Sequence, residues 1–230
     1  MTKEKTKFTP ALEKATGEIK YNMTNDYMFR ALFQQNTVAL KGLLSSLLHM
    51  PPENILSVEI MNPIVIGETI NDKEFRLDIK AVLNHYQQIN LEMQVVNRHD
   101  WPERSIGYLS RMYNSLQKGD QYINVKPAIH VGILNFSPFE GEPIFYSRNV
   151  LMDMNKHRIY SDKFQVNVLE LKQIELATEE DKKWNLDFWA KLFKARTWEE
   201  LKMIAKDNEY FTEASNTLCD LYADFNVRER

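Results

Sequence analysis

The sequence contains little cysteine, glycine or proline, and each shortage excludes a class of protein. Among 230 residues there is one cysteine, Cys219, which rules out a disulfide framework and a cysteine-rich zinc site. The 7 glycines and 8 prolines are too few for a loop-dominated architecture. No apolar signal segment opens the chain, and no apolar run approaches the ~18 residues needed to cross a bilayer. We therefore expect a soluble protein of a reducing cytoplasm that has no membrane contacts.

A surplus of basic charge is also lacking. The net charge is −3 and the isoelectric point is near 6.0, whereas proteins that bind DNA regardless of sequence usually carry excess lysine and arginine. Acidic residues at a metal centre lower the net charge too, so this test is weak, and any DNA contact would need a local basic patch. The 43% hydrophobic fraction is that of a globular protein, and the length suits one α/β domain with peripheral helices.

The hydrophobic pattern predicts alternating helical and extended segments. Residues 1–20 are charged and aperiodic, which indicates a loose arm. Helical periodicity runs from Asn25 to Leu48, and prolines 51 and 52 end it. Helices are also predicted from about residue 101 and from Thr178 onward. Extended segments are predicted at 55–66, 126–136, 144–151 and 164–172.

Residues 74–96 alternate between apolar and polar on both sides of the polar segment NHYQQ. This pattern predicts an antiparallel hairpin with one buried face. Asp78 on the first strand and Glu92 and Gln94 on the second share the polar face. With the turn centred near residue 85, Asp78 lies opposite Glu92; centred one residue later, it faces Gln94. Either register gathers the three side chains, because cross-strand partners lie ~4.5–5.5 Å apart.

Two carboxylates held together repel each other unless a cation lies between them, and hard oxygen ligands suit Mg²⁺ or Mn²⁺. Such an ion can lower the pKa of a bound water and stabilise charge on a phosphoryl oxygen. Gln94 could orient the water or contact a phosphate, but it carries no charge. From spacing alone, the polar face of a hairpin is more often its solvated side. In that alternative, Arg76 and Lys80 pair with the acids.

Five sequence segments that include these residues point to a protein family. In chain order they are NDYMFRALF, LDIKAVL, NLEMQ, ERSIGYLSRMYNSLQKGDQY and KPAIHVGILNF. Together they resemble the Rpn family, bacterial recombination-promoting nucleases that are also described as transposases, within the PD-(D/E)XK nuclease superfamily. The resemblance extends from about residue 22 to 226, and the combination of runs carries it. It implies an α/β fold with a restriction-endonuclease-like αβββαβ core and Mg²⁺-dependent (or Mn²⁺-dependent) DNA cleavage.

The resemblance also assigns residues. The superfamily's aspartate and glutamate, both metal ligands, fall on Asp78 and Glu92. Gln94 stands at the superfamily's lysine position, a replacement usual within this family. An acidic residue of the first core helix often joins the metal site, and Asp26 is the best match. The implied catalytic set is therefore Asp78, Glu92, Gln94 and Asp26.

The chain is expected to divide into a loose arm (1–20), a PD-(D/E)XK nuclease-like core (21–176) and a helical C-terminal appendage (177–230). Members of the family usually continue with more helical, charged sequence. The resemblance therefore implies that the appendage is truncated where this chain reads NVRER.

Candidate DNA-binding residues lie on the helix that follows the hairpin. Arg104, Tyr108 and Arg111 recur at four- and three-residue spacing and would share one face, where a basic stripe with a tyrosine could hold a DNA backbone. In the alternative, Tyr108 packs and the charges are solvated. Lys80 shares the polar face with Asp78 and could replace the missing lysine or pair with Glu92. His130, in an apolar strand, is expected to be a hydrogen-bonded core histidine.

The leading hypothesis is a divalent-metal-dependent DNA endonuclease linked to recombination or mobile elements. Cutting both strands would most simply use two copies of the chain, so a homodimer is a candidate assembly. The alternative is a catalytically weak or inactive nuclease-fold protein that binds DNA or a protein partner, which the acidic isoelectric point and Gln94 favour. The sequence also leaves RNA open as a substrate, since metal-assisted hydrolysis treats both phosphodiesters similarly.

Overall fold

The computed structural model describes residues 7–61, 78–113, 116 and 118–228, without the side chains of 78 and 225–228. The helices are α1 (Pro10–Lys14), α2 (Asp26–Gln35), α3 (Thr37–Leu48), α4 (Trp101–Tyr113), α5 (Glu179–Lys183), α6 (Leu186–Lys194), α7 (Trp198–Ala205) and α8 (Glu209–Arg228). The strands are β1 (Val58–Ile60), β2 (Asp78–Leu83), β3 (Gln87–Gln94), β4 (Ala128–Leu134), β5 (Tyr146–Met152) and β6 (Ile159–Glu170). By their internal contacts, the described residues form a helical unit (7–54 and 177–228) and a sheet unit (55–61 and 78–176).

The helical unit joins the N-terminal and C-terminal helices. α2 and α3 both pack against α8, and α6 packs against α3 and α7. Asn36 ends α2 and caps α3 by accepting a hydrogen bond from the Ala39 N–H, at 2.9 Å. The continuous periodicity predicted from Asn25 to Leu48 is therefore two helices, because an asparagine cap interrupts the backbone without interrupting the apolar spacing.

Part of the segment expected to be a loose arm is helical and packed. Thr9 caps α1, Leu12 and Ile19 are buried, and α1 contacts α8. The two buried residues, Leu12 and Ile19, are too few to show a periodicity, so the sequence pattern of residues 1–20 did not indicate this packing. The predicted domain boundaries at 20 and 176 stay a prediction.

The sheet unit contains a six-stranded sheet in the order β1-β2-β3-β4-β6-β5. β1, β2 and β3 pair antiparallel. β3 and β4 pair parallel, and the crossover helix α4 connects them. β6 continues the parallel pairing, and β5 returns antiparallel at the edge. The chain order α3, β1, β2, β3, α4, β4 is the predicted αβββαβ, and the α/β fold class is confirmed. Across the described ranges, no helix has the length and apolar character needed to cross a membrane.

The turn between β2 and β3 sets the register of the predicted hairpin. Asn84 and His85 both adopt left-handed backbone, with φ of 52° and 58°, as in the turns that suit hairpins. The Asn84 side chain also accepts the Leu56 N–H at 2.7 Å, which ties the segment leading into β1 to the turn. Asp78 lies directly opposite Glu92, so the register centred on residue 85 is the correct one. Residues 62–66 and 74–77 of the predicted strands lie outside the described residues.

β3 is buried on both faces along its second half, so the prediction of one buried face was wrong for this strand, whereas β2 alternates between buried and half-buried residues as predicted. Leu91 and Met93 are buried on one side, while Asn90 and Glu92, both 0% exposed, and Gln94 are buried on the other. The helix α4 packs on β4 and β6. Alternation shows which residues are polar, but it cannot show that a later helix covers them. The solvated alternative is therefore wrong for Glu92.

A glycine lets α4 lie close to the sheet. Gly132 of β4 is level with Glu92 of β3, and a Cβ built on Gly132 would overlap the Trp101 indole at the start of α4. Trp101 then packs with Leu134, Phe136 and Val168 in an apolar cluster. The close approach places the first turns of α4 beside the polar residues of β3.

We predict that Gly132→Ala lowers the free energy of unfolding by roughly 1–3 kcal/mol, because the added methyl overpacks against Trp101. The control is Gly107→Ala on the exposed side of α4, where the added methyl meets no atom within 4 Å. This control should gain roughly 0.5–1 kcal/mol through helix propensity. Urea unfolding of both variants is the measurement, and equal changes in the two would contradict the account.

Candidate active site

Strand pairing gathers polar residues on one face of the sheet, which we call the polar face. Asp78 and Lys80 of β2 pair with Glu92 and Asn90 of β3, and His130 of β4 pairs with Asn90. Gln94 follows two residues after Glu92 and shares this face. The predicted residues Asp78, Glu92 and Gln94 are therefore brought together by the backbone, although the Asp78 side chain lies outside the described part of the chain.

Glu92 forms a buried ion pair with Arg104 of α4. The Arg104 Nε donates to Glu92 Oε1 at 2.7 Å, with 29% of the arginine side chain exposed against 1% of the glutamate. The guanidinium lies over the Tyr108 ring, 5.1 Å from its centroid, and donates to the Tyr108 hydroxyl at 3.4 Å. A charge-assisted hydrogen bond is what a carboxylate needs when water is excluded from it.

His130 lies beside the other oxygen of Glu92. Its Nδ1 is 3.0 Å from Asn90 Nδ2, and its Nε2 is 3.6 Å from Glu92 Oε2. Burial, with a smaller effect of the Arg104 charge, lowers the pKa of His130 to about 3. The ring is therefore neutral, and its contact with Glu92 is not an ion pair. The prediction of a hydrogen-bonded core histidine is confirmed.

Gln94 is tethered through its amide nitrogen, which donates to the Val96 carbonyl at 3.2 Å. Its Oε1 is buried and has no hydrogen-bond partner among the residues that the structure describes. A buried amide oxygen without a donor is uncommon and fits a site that receives a ligand. The oxygen belongs to the same strand face as the Glu92 carboxylate.

The other predicted site residues lie on three elements. Asp26 begins α2 in the helical unit, and burial raises the pKa of its carboxyl above the ordinary value. Lys80 is half-buried on β2, and Arg111 is exposed on α4. Of the predicted DNA-binding set, the structure brings Arg104 into contact with Glu92, and Tyr108 contacts Arg104.

The donors on the polar face fit a hard divalent cation. Glu92 offers a carboxylate and Gln94 an unsatisfied amide oxygen, which are the ligand types that Mg²⁺ prefers. Among the described side chains, no group of three or more His, Cys, Asp or Glu residues has the arrangement of a metal site. A cation here would therefore need the carboxylate of Asp78 as well.

Sequence reasoning missed the supporting residues Asn90, Trp101 and Gly132. Asn90 alternates with Glu92 on the polar face, which is a weak signal because asparagine is common on such faces. The contact of Trp101 with Gly132 joins residues 31 positions apart on α4 and β4, and no local pattern reports it.

We predict that Arg104→Ala lowers the free energy of unfolding by about 3 kcal/mol, because it leaves the Glu92 charge buried without its ion pair. The double variant Glu92→Gln with Arg104→Ala should recover part of this loss, since the charge is removed along with its partner. Urea unfolding of the two single variants and the double variant, with a chelator present, measures the coupling. Additive losses would contradict a buried ion pair.

His130 should make stability depend on pH. Its pKa falls from 6.5 to about 3 on folding, so below pH 6.5 the unfolded chain binds a proton that the folded chain does not. Stability should therefore fall as pH drops through this window, with a His130 contribution of up to about 1.4 kcal/mol per pH unit. His130→Gln should remove this contribution, while the exposed control His157→Asn keeps it. Unfolding at several pH values with a chelator gives the slopes; identical slopes for wild type and His130→Gln would refute the account.

Comparison with known proteins identifies the family. Residues 23–230, a span that includes β2, β3 and α4, match the family model of the PD-(D/E)XK nuclease family transposases. No curated protein and no solved structure matches the chain. The resemblance drawn from the sequence runs is thereby confirmed at the level of this family. On a match that covers most of its length, the chain belongs to the PD-(D/E)XK nuclease family transposases.

Proposed function

We propose that this protein is a divalent-metal-dependent endonuclease that hydrolyses phosphodiester bonds in DNA during recombination or the movement of mobile elements. The observation that carries the proposal is the fully buried Glu92 carboxylate, directly opposite Asp78 in the hairpin of a nuclease-family chain. Burying a carboxylate costs several kcal/mol before any contact offsets it. Such a placement is typical of a functional site rather than of a solvated strand face.

In this proposal, Asp78 and Glu92 are ligands of Mg²⁺ or Mn²⁺. When bound, the ion would lower the pKa of a water and offset the charge on the phosphoryl group. Gln94 would orient the water through its amide oxygen, which is buried and without a hydrogen-bond donor among the described residues, or contact the phosphate through its amide N–H. Asp26 would assist as a further ligand or through a bound water. Arg104 orients Glu92 through its 2.7 Å contact.

DNA would approach along α4 and β2, where we propose Arg104, Tyr108, Arg111 and Lys80 as contacts. Arg104 can supply the positive charge that Gln94 lacks, because its guanidinium already lies at the carboxylate. Arg111 is exposed on α4 and is suited to a phosphate oxygen. Cleavage of both strands would be achieved by a homodimer. The single cysteine agrees with action in the cytoplasm.

A second function has an observation of its own. Arg104 occupies Oε1 of Glu92, and a glutamine stands where the superfamily has a lysine, which together favour a catalytically weak protein that binds DNA or a protein partner. Calorimetric titration with Mg²⁺ and Mn²⁺ distinguishes the two. Metal binding that weakens in Glu92→Gln supports the nuclease, whereas no binding even with DNA present supports the weak binder.

We predict that Asp78→Asn and Glu92→Gln each lower plasmid cleavage roughly 100-fold or more, because loss of a metal ligand removes several kcal/mol of transition-state stabilisation. The matched control is Asp162→Asn, an exposed carboxylate on β6 that should cleave at the wild-type rate. Cleavage is measured across Mg²⁺, Mn²⁺ and Ca²⁺, with folding checked by circular dichroism. Wild-type rates in a folded Asp78→Asn protein would rule out the assignment.

A further inference from the structure

The hydrogen bond between His130 and Asn90 determines which ring nitrogen of His130 carries its proton. Asn90 Nδ2 lies 3.0 Å from His130 Nδ1, and an amide nitrogen can only donate, so Nδ1 accepts. A neutral imidazole whose Nδ1 accepts carries its hydrogen on Nε2. This Nε2 lies 3.6 Å from Glu92 Oε2. The opposite orientation of the Asn90 amide would turn the Nε2 lone pair toward a carboxylate oxygen, which is electrostatically unfavourable.

The surroundings of His130 leave its ring little freedom. The side chain is fully buried, and it stacks on Trp101 at 5.5 Å and on Tyr108 at 5.6 Å between ring centroids. Both aromatic residues belong to α4, which also supplies Arg104. A ring held in this way presents its N–H in one fixed direction.

The two oxygens of Glu92 therefore lie near side chains from two different elements. Arg104 of α4 donates a hydrogen bond to Oε1, and the N–H of His130 on β4 lies 3.6 Å from Oε2, slightly beyond hydrogen-bond distance. A carboxylate contacted at one oxygen can still turn about its terminal torsion, which is broad. Contacts at both oxygens restrict that rotation.

We propose that Asn90 and His130 are positioning residues: Asn90 keeps the proton of His130 on Nε2, and this N–H orients the Glu92 carboxylate. The catalytic meaning of this pair rests on the proposed function, in which Glu92 binds the metal. Neither residue is placed against the substrate. Groups that orient a metal ligand typically change metal affinity about 10–100-fold when they are replaced.

The first test measures which His130 ring nitrogen is protonated, and it needs no metal. The full chain is labelled with ¹⁵N in its histidine rings, and a long-range ¹H–¹⁵N correlation is recorded at pH 7, with His130→Gln used to identify the resonances. We expect an unprotonated Nδ1 and a protonated Nε2, and we expect the Nε2 resonance to move in Glu92→Gln. A protonated Nδ1, or an Nε2 resonance unaffected by Glu92→Gln, overturns the proposal.

The second test separates positioning from packing. His130→Phe keeps an aromatic ring between Trp101 and Tyr108 but has no N–H, and we expect its Mn²⁺ affinity by calorimetry to fall roughly 10–100-fold. His130→Gln, whose amide N–H can stand near Nε2, should retain most of the affinity. The exposed control His157→Asn should bind as wild type. The kcat for plasmid cleavage should fall in His130→Phe while KM for DNA does not change.

Wild-type Mn²⁺ affinity in a folded His130→Phe protein overturns the positioning role. If the wild-type protein binds no Mn²⁺ at all, the proposed function fails, and the ring-nitrogen measurement still decides whether Asn90 and His130 orient Glu92. A variant that does not fold leaves that decision to the wild-type spectrum and to Glu92→Gln.

Discussion

A carboxylate removed from water must be met by donors, and the arrangement around Glu92 follows from this requirement. Arg104 of α4 donates a hydrogen bond to it, and His130 of β4 lies 3.6 Å from its other oxygen. Each of these side chains is itself contacted by a neighbour, the guanidinium by Tyr108 and the imidazole by Asn90. The helix must lie close to the sheet for these contacts to form. Because an uncompensated charge in a low dielectric costs several kcal/mol, the packing of α4 and the orientation of Glu92 are coupled.

Local patterns were sufficient for the extended segments and for the pairing of β2 with β3. Period-two alternation around a polar turn indicated the hairpin of β2 and β3, and one of two registers considered is the observed one. An apolar run likewise indicated β4, which is buried along its whole length. The burial of the polar face could not be predicted in the same way. It depends on a crossover helix that returns over the sheet, and alternation reports polarity rather than exposure.

The site was accessible to sequence reasoning only in part. Spacing placed Glu92 and Gln94 on one strand face and Arg104 with Tyr108 on one helix face, but it left the solvated alternative open. The contact between Arg104 and Glu92 settles the position of that pair. Asn90 and His130 meet through the parallel pairing of β3 with β4, whose residues are 40 positions apart along the chain. The metal roles of Asp78, Glu92 and Asp26 remain predictions.

The turn at Asn84 and His85 has a consequence far from its own position. It is six residues along β2 from Asp78, about 20 Å at the usual rise of a strand. A strand that slips by one residue turns every side chain to the opposite face. Opposition of Asp78 and Glu92 is thus decided by the length of a loop that touches neither of them. Relatives of this protein that gained or lost one residue in that loop would keep every acidic residue and still lose the alignment of the pair, so loop length is as informative as the acids when activity is judged.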